Sequence, residues 1–153
     1  MKLLLSLIFI GLAPNECKNS QEKSMSAKQD YSEIIQISYE AFSRGYFNYI
    51  AFENTKMLIT QDINRQSIDT TQISKQEWSD LLNLMNSIDL NTLENLKVPT
   101  DKRLYDGAAH CTMSVILKDK TYITPSFDEG FPPEQIKTLV NKMLSISKNH
   151  LKH

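Results

Sequence analysis

The sequence predicts an α+β domain in which an antiparallel sheet of about five strands carries two amphipathic helices packed on one face. Three observations lead to this prediction. Some segments alternate apolar and polar residues, as half-buried strands do, and two others place apolar residues every three or four positions, as helices do. Turn residues separate the alternating segments. The expected element order is β-β-β-α-β-β-α, which lets both helical stripes cover the same face of the sheet.

The first half of the domain is expected to be a three-stranded meander. Residues 32–42 alternate with a period of two, and Arg44 and Gly45 then turn the chain. Residues 46–52 and 57–63 are aromatic and β-branched runs that predict a hairpin. The side chains of the first strand that are expected to share one face are Ile35, Ile37, Tyr39 and Ala41.

A capping box marks the start of the first helix. Ser74 can accept a hydrogen bond from the amide of Glu77, whose carboxylate can accept one from the amide of Ser74. The apolar stripe that follows consists of Trp78, Leu81, Leu82, Met85 and Ile88. A short helical turn is expected within residues 89–100, and Pro99 ends it.

Residues 110–117 and 121–127 predict a second hairpin. Pro125 cannot donate a hydrogen bond to a neighbouring strand, so the last strand should lie at a sheet edge or bulge at that point. The final helix is expected to start near the Pro-Pro pair at 132–133. Its apolar stripe consists of Ile136, Leu139, Val140, Met143 and Leu144.

Composition sets the class of protein. The chain has 153 residues, 41% of them hydrophobic and 23% charged, with a formal net charge of −1. One domain of this size can fold without a metal ion or a disulfide. Lysine and arginine are scattered among acidic residues, so a nucleic-acid partner is not expected. No motif points to a cofactor.

The N-terminus predicts export. Lys2 precedes an apolar run at 3–12 that is too short to span a bilayer, a pattern typical of a signal peptide and less typical of a buried core segment. We therefore expect a signal peptide over residues 1–16, a flexible polar tether over 17–30 and a single domain over 31–149. The protein would reside in the cell envelope, lipid-anchored, or be periplasmic or secreted.

Two cysteines, Cys17 and Cys111, bear on this prediction. Cys17 follows the apolar run and resembles the lipidation site of bacterial lipoproteins. That resemblance implies a mature chain that starts at Cys17 and is held on a membrane by acyl chains, and ordinary cleavage to a soluble protein is the alternative. Cys111 is expected to be a buried thiol on an alternating strand, with a Cys17–Cys111 disulfide as the alternative.

The candidate site joins residues 101–110 to residues 127–133. The two segments flank one antiparallel pair, so their polar side chains should lie close together. The candidate binding residues are Arg103, Tyr105, Asp106, His110, Asp128 and Glu129, with the aromatic rings of Phe127 and Phe131 beside them. In the alternative interpretation Asp106 and Asp128 hold turns, Gly107 and Gly130 adopt unusual backbone angles and Phe127 belongs to the core.

Catalytic and metal sites are not predicted. Asp106, His110, Asp128 and Glu129 are acceptable ligands for divalent ions, but they match no specific metal motif. Cys111 follows His110 directly, so on a strand the two side chains point to opposite faces. Ser126 lacks the Gly-x-Ser-x-Gly turn that exposes a hydrolase nucleophile.

Two local motifs resemble a group of small uncharacterised lipoproteins of bacterial envelopes. They are Tyr-Asp-Gly-Ala at 105–108 and Phe-Asp-Glu-Gly-Phe-Pro-Pro at 127–133. The resemblance implies envelope association and no particular activity. The favoured hypothesis is a non-enzymatic binding or accessory module that contacts a protein or another envelope component. The alternatives are a hydrolase or metal-dependent enzyme that uses these two loops, and a purely structural spacer.

Overall fold

The structure, a computed structural model, describes residues 33–151. The strands in this range are β1 (Ile34–Ser43), β2 (Tyr46–Glu53), β3 (Lys56–Thr60), β4 (Asp69–Gln72), β5 (His110–Leu117), β6 (Thr121–Ile123) and β7 (Phe127–Asp128). The helices are α1 (Lys75–Met85) and α2 (Glu134–His150), with 3-10 helices at Leu90–Asn95 and Lys102–Tyr105. The predicted signal peptide (1–16), the tether (17–30) and Cys17 lie outside the described residues.

The sheet is antiparallel with strand order β4-β3-β2-β1-β5-β6, and β7 pairs with β5. The predicted α+β class with two helices is confirmed, whereas the prediction of about five strands is wrong because seven are present between residues 33 and 151. β1 lies in the middle of the sheet, between β2 and β5. Phe42, near the end of β1, is opposite Phe47 on β2 and His110 on β5.

The two strands beyond the predicted five are β4 and the second strand formed within residues 121–127. β4 (Asp69–Gln72) is a short polar edge strand with mostly exposed side chains, so it carries no apolar alternation in the sequence. β3 ends at Thr60 and not at residue 63 as predicted, and residues 61–68 form a loop. The predicted strand 121–127 divides around Pro125 into β6 and β7, which confirms the expected interruption.

Ile35 does not point into the core as predicted. It is 52% exposed, whereas Ile34 is 8% exposed and Ile37 is fully buried. The pairing of β1 with β5 shifts between Ile34 and Gln36, as in a β-bulge. One extra residue in a strand reverses the side-chain alternation, so the pattern before the bulge differs from the pattern after it.

The main core lies between the sheet and the two helices. Its fully buried side chains include Ile37 and Tyr39 from β1, Met113 from β5, Leu81 and Met85 from α1, and Ile136 and Met143 from α2. A smaller apolar cluster, formed by Phe47, Tyr49 and Ala51 with Leu58 beside it, lies on the opposite face of the sheet. We call this opposite face the outer face.

The helices begin and pack as their sequences predict. Ser74 Oγ accepts a hydrogen bond from the Glu77 amide at 3.1 Å, and the Ser74 amide donates to Glu77 Oε2 at 2.8 Å, which confirms the capping box. The two helices also meet through polar contacts: Lys142 Nζ lies 2.7 Å from Asp80 Oδ2, and His150 Nε2 lies 3.2 Å from Glu77 Oε1. Leu90, Leu93 and Leu96, from the predicted short turn, are all buried.

Between residues 33 and 151, no helix combines the length and the apolar character that crossing a membrane requires.

Candidate binding site

Asp128 organises the first of the two predicted loops. Its side chain is fully buried, and its carboxylate accepts four hydrogen bonds from the segment 100–103. The donors are Thr100 Oγ1 at 2.6 Å, the Lys102 amide at 2.7 Å, the Arg103 amide at 3.0 Å and Arg103 Nη1 at 3.0 Å. Arg103 Nη1 also donates to the carbonyl of Thr100 at 2.8 Å. The segment is therefore fixed to β7 by one buried acid.

The hydrogen bonds also determine the ionisation of Asp128. Burial alone would raise the pKa of this carboxyl group. The donors from Thr100, Arg103 and Lys102 outweigh burial and hold the pKa of Asp128 well below its usual range. Asp128 is therefore an ionised structural anchor at neutral pH, with both oxygens already engaged.

The anchored segment displays two large apolar side chains. Leu104 is 62% exposed and Tyr105 is 79% exposed, although the 3-10 helix that carries them is tied to Asp128. Arg103 is mostly buried against Asp128, with a side chain that is 13% exposed. Of these candidate residues, Tyr105 is presented to solvent, and Asp128 and Arg103 hold the loop that presents it.

Asp106 ends this loop in the left-handed conformation, with a φ of 56°. The prediction that Gly107 supplies the unusual backbone angle here is wrong, because Gly107 does not have a positive φ. A Cβ at Gly107 would lie 3.1 Å from the carbonyl oxygen of Lys102, so glycine is favoured there by close approach. Gly130, in contrast, has the predicted positive φ of 81°.

His110 lies on the outer face beside an open cleft. Its ring stacks on Phe42, with centroids 5.2 Å apart and planes 14° apart. The cleft has a volume of about 790 Å³ and is lined by Phe42, Ser43, Arg44, Asp106, Gly107, Ala108, Ala109 and His110. It therefore lies between the β1–β2 turn and the loop that Asp128 anchors.

A second cleft adjoins the first, because Phe42 lines both. Its volume is about 460 Å³, and its lining is Glu40, Phe42, Phe47, Ile63, Asn64 and Arg65. The loop 61–68 forms one wall and places Ile63 in solvent, with 67% of its surface exposed. We call the two clefts together the groove.

The loop 61–68 is also fixed. Asp62 accepts hydrogen bonds from the amides of Asn64 at 3.0 Å and Gln66 at 2.9 Å. Arg65 pairs with Glu40, and its guanidinium carbon lies 3.9 Å from the centroid of the Tyr49 ring. Both walls of the groove are thus tied to the sheet through an acidic residue and an arginine.

The remaining candidate residues lie near the groove or in the core. Glu129 is exposed and accepts a hydrogen bond from Tyr46 Oη at 3.0 Å, which joins β7 to the start of β2. Phe127 is fully buried, its ring centroid 6.4 Å from that of Tyr39. Phe131 is 43% exposed, and Lys102 Nζ lies 4.4 Å from its ring centroid.

Cys111 is a buried free thiol. Its sulfur lies 3.0 Å from the hydroxyl oxygen of Tyr39. Burial raises the pKa of Cys111 to about 11, so the thiol is protonated at neutral pH and is a poor nucleophile. Burial, with the hydrogen bond to Cys111, also raises the pKa of Tyr39.

Of the acidic and imidazole groups of the two loops, Asp106 and His110 line one cleft, whereas Asp128 and Glu129 do not line it. His110 and Asp128 are paired across β5 and β7, yet the Asp128 carboxylate is directed to Thr100, Lys102 and Arg103. Over the part of the chain that the structure describes, no cluster of three or more His, Cys, Asp or Glu could hold a metal ion. Ser126 Oγ is buried and has no hydrogen-bond partner in that same part of the chain.

Sequence reasoning missed Phe42, Arg44 and Ile63. Phe42 and His110 are far apart in sequence and meet because β1 pairs with β5. The sequence pattern predicts a turn at Arg44 and a strand at Ile63, so it assigns neither residue to the site. The weak signal available was the position of Arg44 in a tight turn, where a long charged side chain must project into solvent.

A scan against models of known protein families found no match, and a search of curated proteins found no significant relative.

Proposed function

We propose that the protein is a non-enzymatic binding module whose groove receives a segment of a partner protein. The observation that carries the proposal is that large apolar side chains are exposed on the two anchored loops beside the groove. Leu104 and Tyr105 immediately precede Asp106, which lines one cleft, and Ile63 lines the other. Each of these three side chains is more than half exposed. Loops held in place before binding lose little conformational freedom in a complex, and apolar and aromatic anchors dominate protein recognition.

The charge distribution supports a protein partner. The groove residues are mixed in sign, with Arg44 and Asp106 in one cleft and the Arg65–Glu40 pair in the other. A polyanion such as nucleic acid would be attracted by a one-signed basic surface. A partner protein can satisfy apolar patches and charges of both signs together.

We further propose that the protein is exported and remains in the envelope, lipid-anchored at Cys17 or soluble in the periplasm or outside the cell. The N-terminal sequence pattern supports this location. The placement of the groove suits an anchored module. The chain enters the sheet at Ile34, opposite Leu117, and Phe42 lies at the other end of the ten-residue strand β1. That strand spans roughly 30 Å, so the groove lies at the end of β1 that is remote from the point where the chain enters the sheet.

Site-specific photo-crosslinking in the native envelope tests the binding proposal. A photoreactive phenylalanine analogue is placed at Tyr105, at Ile63, or at the exposed control position Lys118 in the β5–β6 turn. We expect one discrete adduct from both Tyr105 and Ile63, absent at Lys118. The adduct should weaken strongly when Phe42→Ala is added to the Tyr105 probe.

Two measurements complete the test. Thermal melting of the Phe42→Ala protein shows whether the fold is retained, and an adduct unaffected by Phe42→Ala in a folded protein would contradict a role for the groove. The intact mass of the protein from its native envelope tests location. A chain that starts at Cys17 with added acyl mass supports anchoring, and a chain that retains Met1 contradicts export.

A further inference from the structure

The two clefts of the groove differ in chemistry. In the Ile63 cleft the charged groups satisfy one another, because Arg65 pairs with Glu40 and stacks on Tyr49. What this cleft offers to a ligand is apolar surface from Phe42 and Ile63, with Phe47 at its base and only 9% exposed.

The other cleft offers unpaired charges. Arg44 and Asp106 both line it and both are exposed. Neither side chain has a hydrogen-bond or ion-pair partner among residues 33–151. Asp106 also holds a left-handed backbone conformation, which glycine would adopt with less strain.

We infer that the groove selects an extended peptide segment with an apolar side chain for the Phe42–Ile63 cleft and, beside it, one acidic and one basic side chain for Arg44 and Asp106. This inference rests on the proposed function and adds the chemistry of the partner. Extended chains place alternate side chains on one face, about 7 Å apart, which suits neighbouring clefts. Charges of opposite sign then fix the direction in which the segment lies.

The balance of charges distinguishes this ligand from others. A segment with only acidic residues would be attracted by Arg44 but repelled by Asp106. A segment with only basic residues would be attracted by Asp106 but repelled by Arg44. Like charges placed against each other at an interface are costly and suppress the wrong partners. A segment with both signs satisfies both side chains.

Selection from a phage-displayed library of random linear peptides tests the inference on the full chain. Three proteins are used: the wild type, Arg44→Glu, and the control Lys118→Glu, which makes the same charge change in the exposed β5–β6 turn. We expect wild type and Lys118→Glu to enrich peptides that carry an apolar residue near an acidic and a basic residue. Arg44→Glu should lose the acidic preference and keep the apolar one.

Affinity measurements on one enriched peptide complete the test. Arg44→Glu should weaken binding by about tenfold or more, and exchange of the peptide's acidic residue for lysine should restore much of the loss on Arg44→Glu alone. Enriched peptides with no charge preference, or equal enrichment on Arg44→Glu, would overturn the inference while leaving the proposed function intact. Enrichment of purely acidic peptides or of none at all would also overturn it, and crosslinking then decides separately whether the groove binds a protein.

Discussion

Asp128 Oδ1 and Arg103 Nη1 meet at 3.0 Å, with the carboxylate fully buried and the arginine side chain 13% exposed. The pair joins β7 to the loop that displays Leu104 and Tyr105. Two of the candidate binding residues thus contact each other and fix the position of this loop. Changes to this buried pair are therefore expected to alter stability, whereas changes to exposed residues of the groove are expected to alter recognition.

Asp128→Asn should destabilise the protein and release the loop. The asparagine side chain keeps one acceptor oxygen, but its NH₂ group, itself a donor, would face the donors of residues 100–103. Some of these buried groups would then have no hydrogen-bond partner. We expect a melting temperature lower by several degrees and faster amide hydrogen exchange at residues 100–106. Asp101→Asn removes a neighbouring exposed carboxylate and should change neither quantity.

The same residue predicts a dependence of stability on pH. The folded-state pKa of Asp128 lies below that of the unfolded chain, so the unfolded state binds more protons as the pH falls. The contribution of Asp128 is therefore complete above about pH 5 and is lost progressively below about pH 4. Urea unfolding midpoints should fall less steeply with acid in Asp128→Asn than in wild type. Equal slopes in the two proteins would contradict this account.

The two phenylalanines of the second loop should respond differently to truncation. Phe127 is fully buried, so Phe127→Ala should cost about 3–5 kcal/mol of unfolding free energy through lost burial and a cavity. Phe131 is 43% exposed and contacts Lys102, so Phe131→Ala should cost less than about 1 kcal/mol. Denaturant titration measures both, and similar losses would contradict the assignment of Phe127 to the core.

Cys111 should be unreactive in the folded protein. A Cys17→Ser variant leaves Cys111 as its single thiol, which is buried and has a pKa raised to about 11. We expect negligible labelling by a disulfide reagent at neutral pH and full labelling of one thiol in denaturant. Rapid labelling without denaturant would show that the Tyr39–Cys111 contact opens readily.

Asp106→Gly should affect stability and recognition in opposite directions. Glycine has no Cβ and adopts a positive φ without steric cost, which raises the unfolding free energy. Glycine also gives the unfolded chain more conformational freedom, which lowers the unfolding free energy, so the net rise should be at most about 1 kcal/mol. Binding of a peptide selected on wild type should weaken. Asp106→Asn tolerates the same backbone angle, so it should preserve stability and lose binding alone. A loss of stability in Asp106→Gly would contradict the argument from strain.

The candidate site was only partly predictable from the sequence. The sequence was sufficient to predict that residues 101–110 lie near residues 127–133, because the two segments flank one local hairpin. The role of Asp128 was not predictable, because its four donors lie 25 to 28 residues away and depend on how the loop folds back over β7. The groove also required the pairing of β1 with β5, which brings Phe42 to His110.

By itself, the sequence determined the class of fold and the start of α1, because period-two and period-3.6 patterns and a capping box are local properties of the chain. It also predicted the interruption at Pro125, since proline lacks the amide hydrogen that a strand needs. The tertiary structure alone decided that Ile35 faces solvent, that a polar edge strand forms at Asp69–Gln72, and that Arg44 and Asp106 share a cleft. Those features depend on strand register and on loop placement, which arise from contacts between residues far apart in the chain.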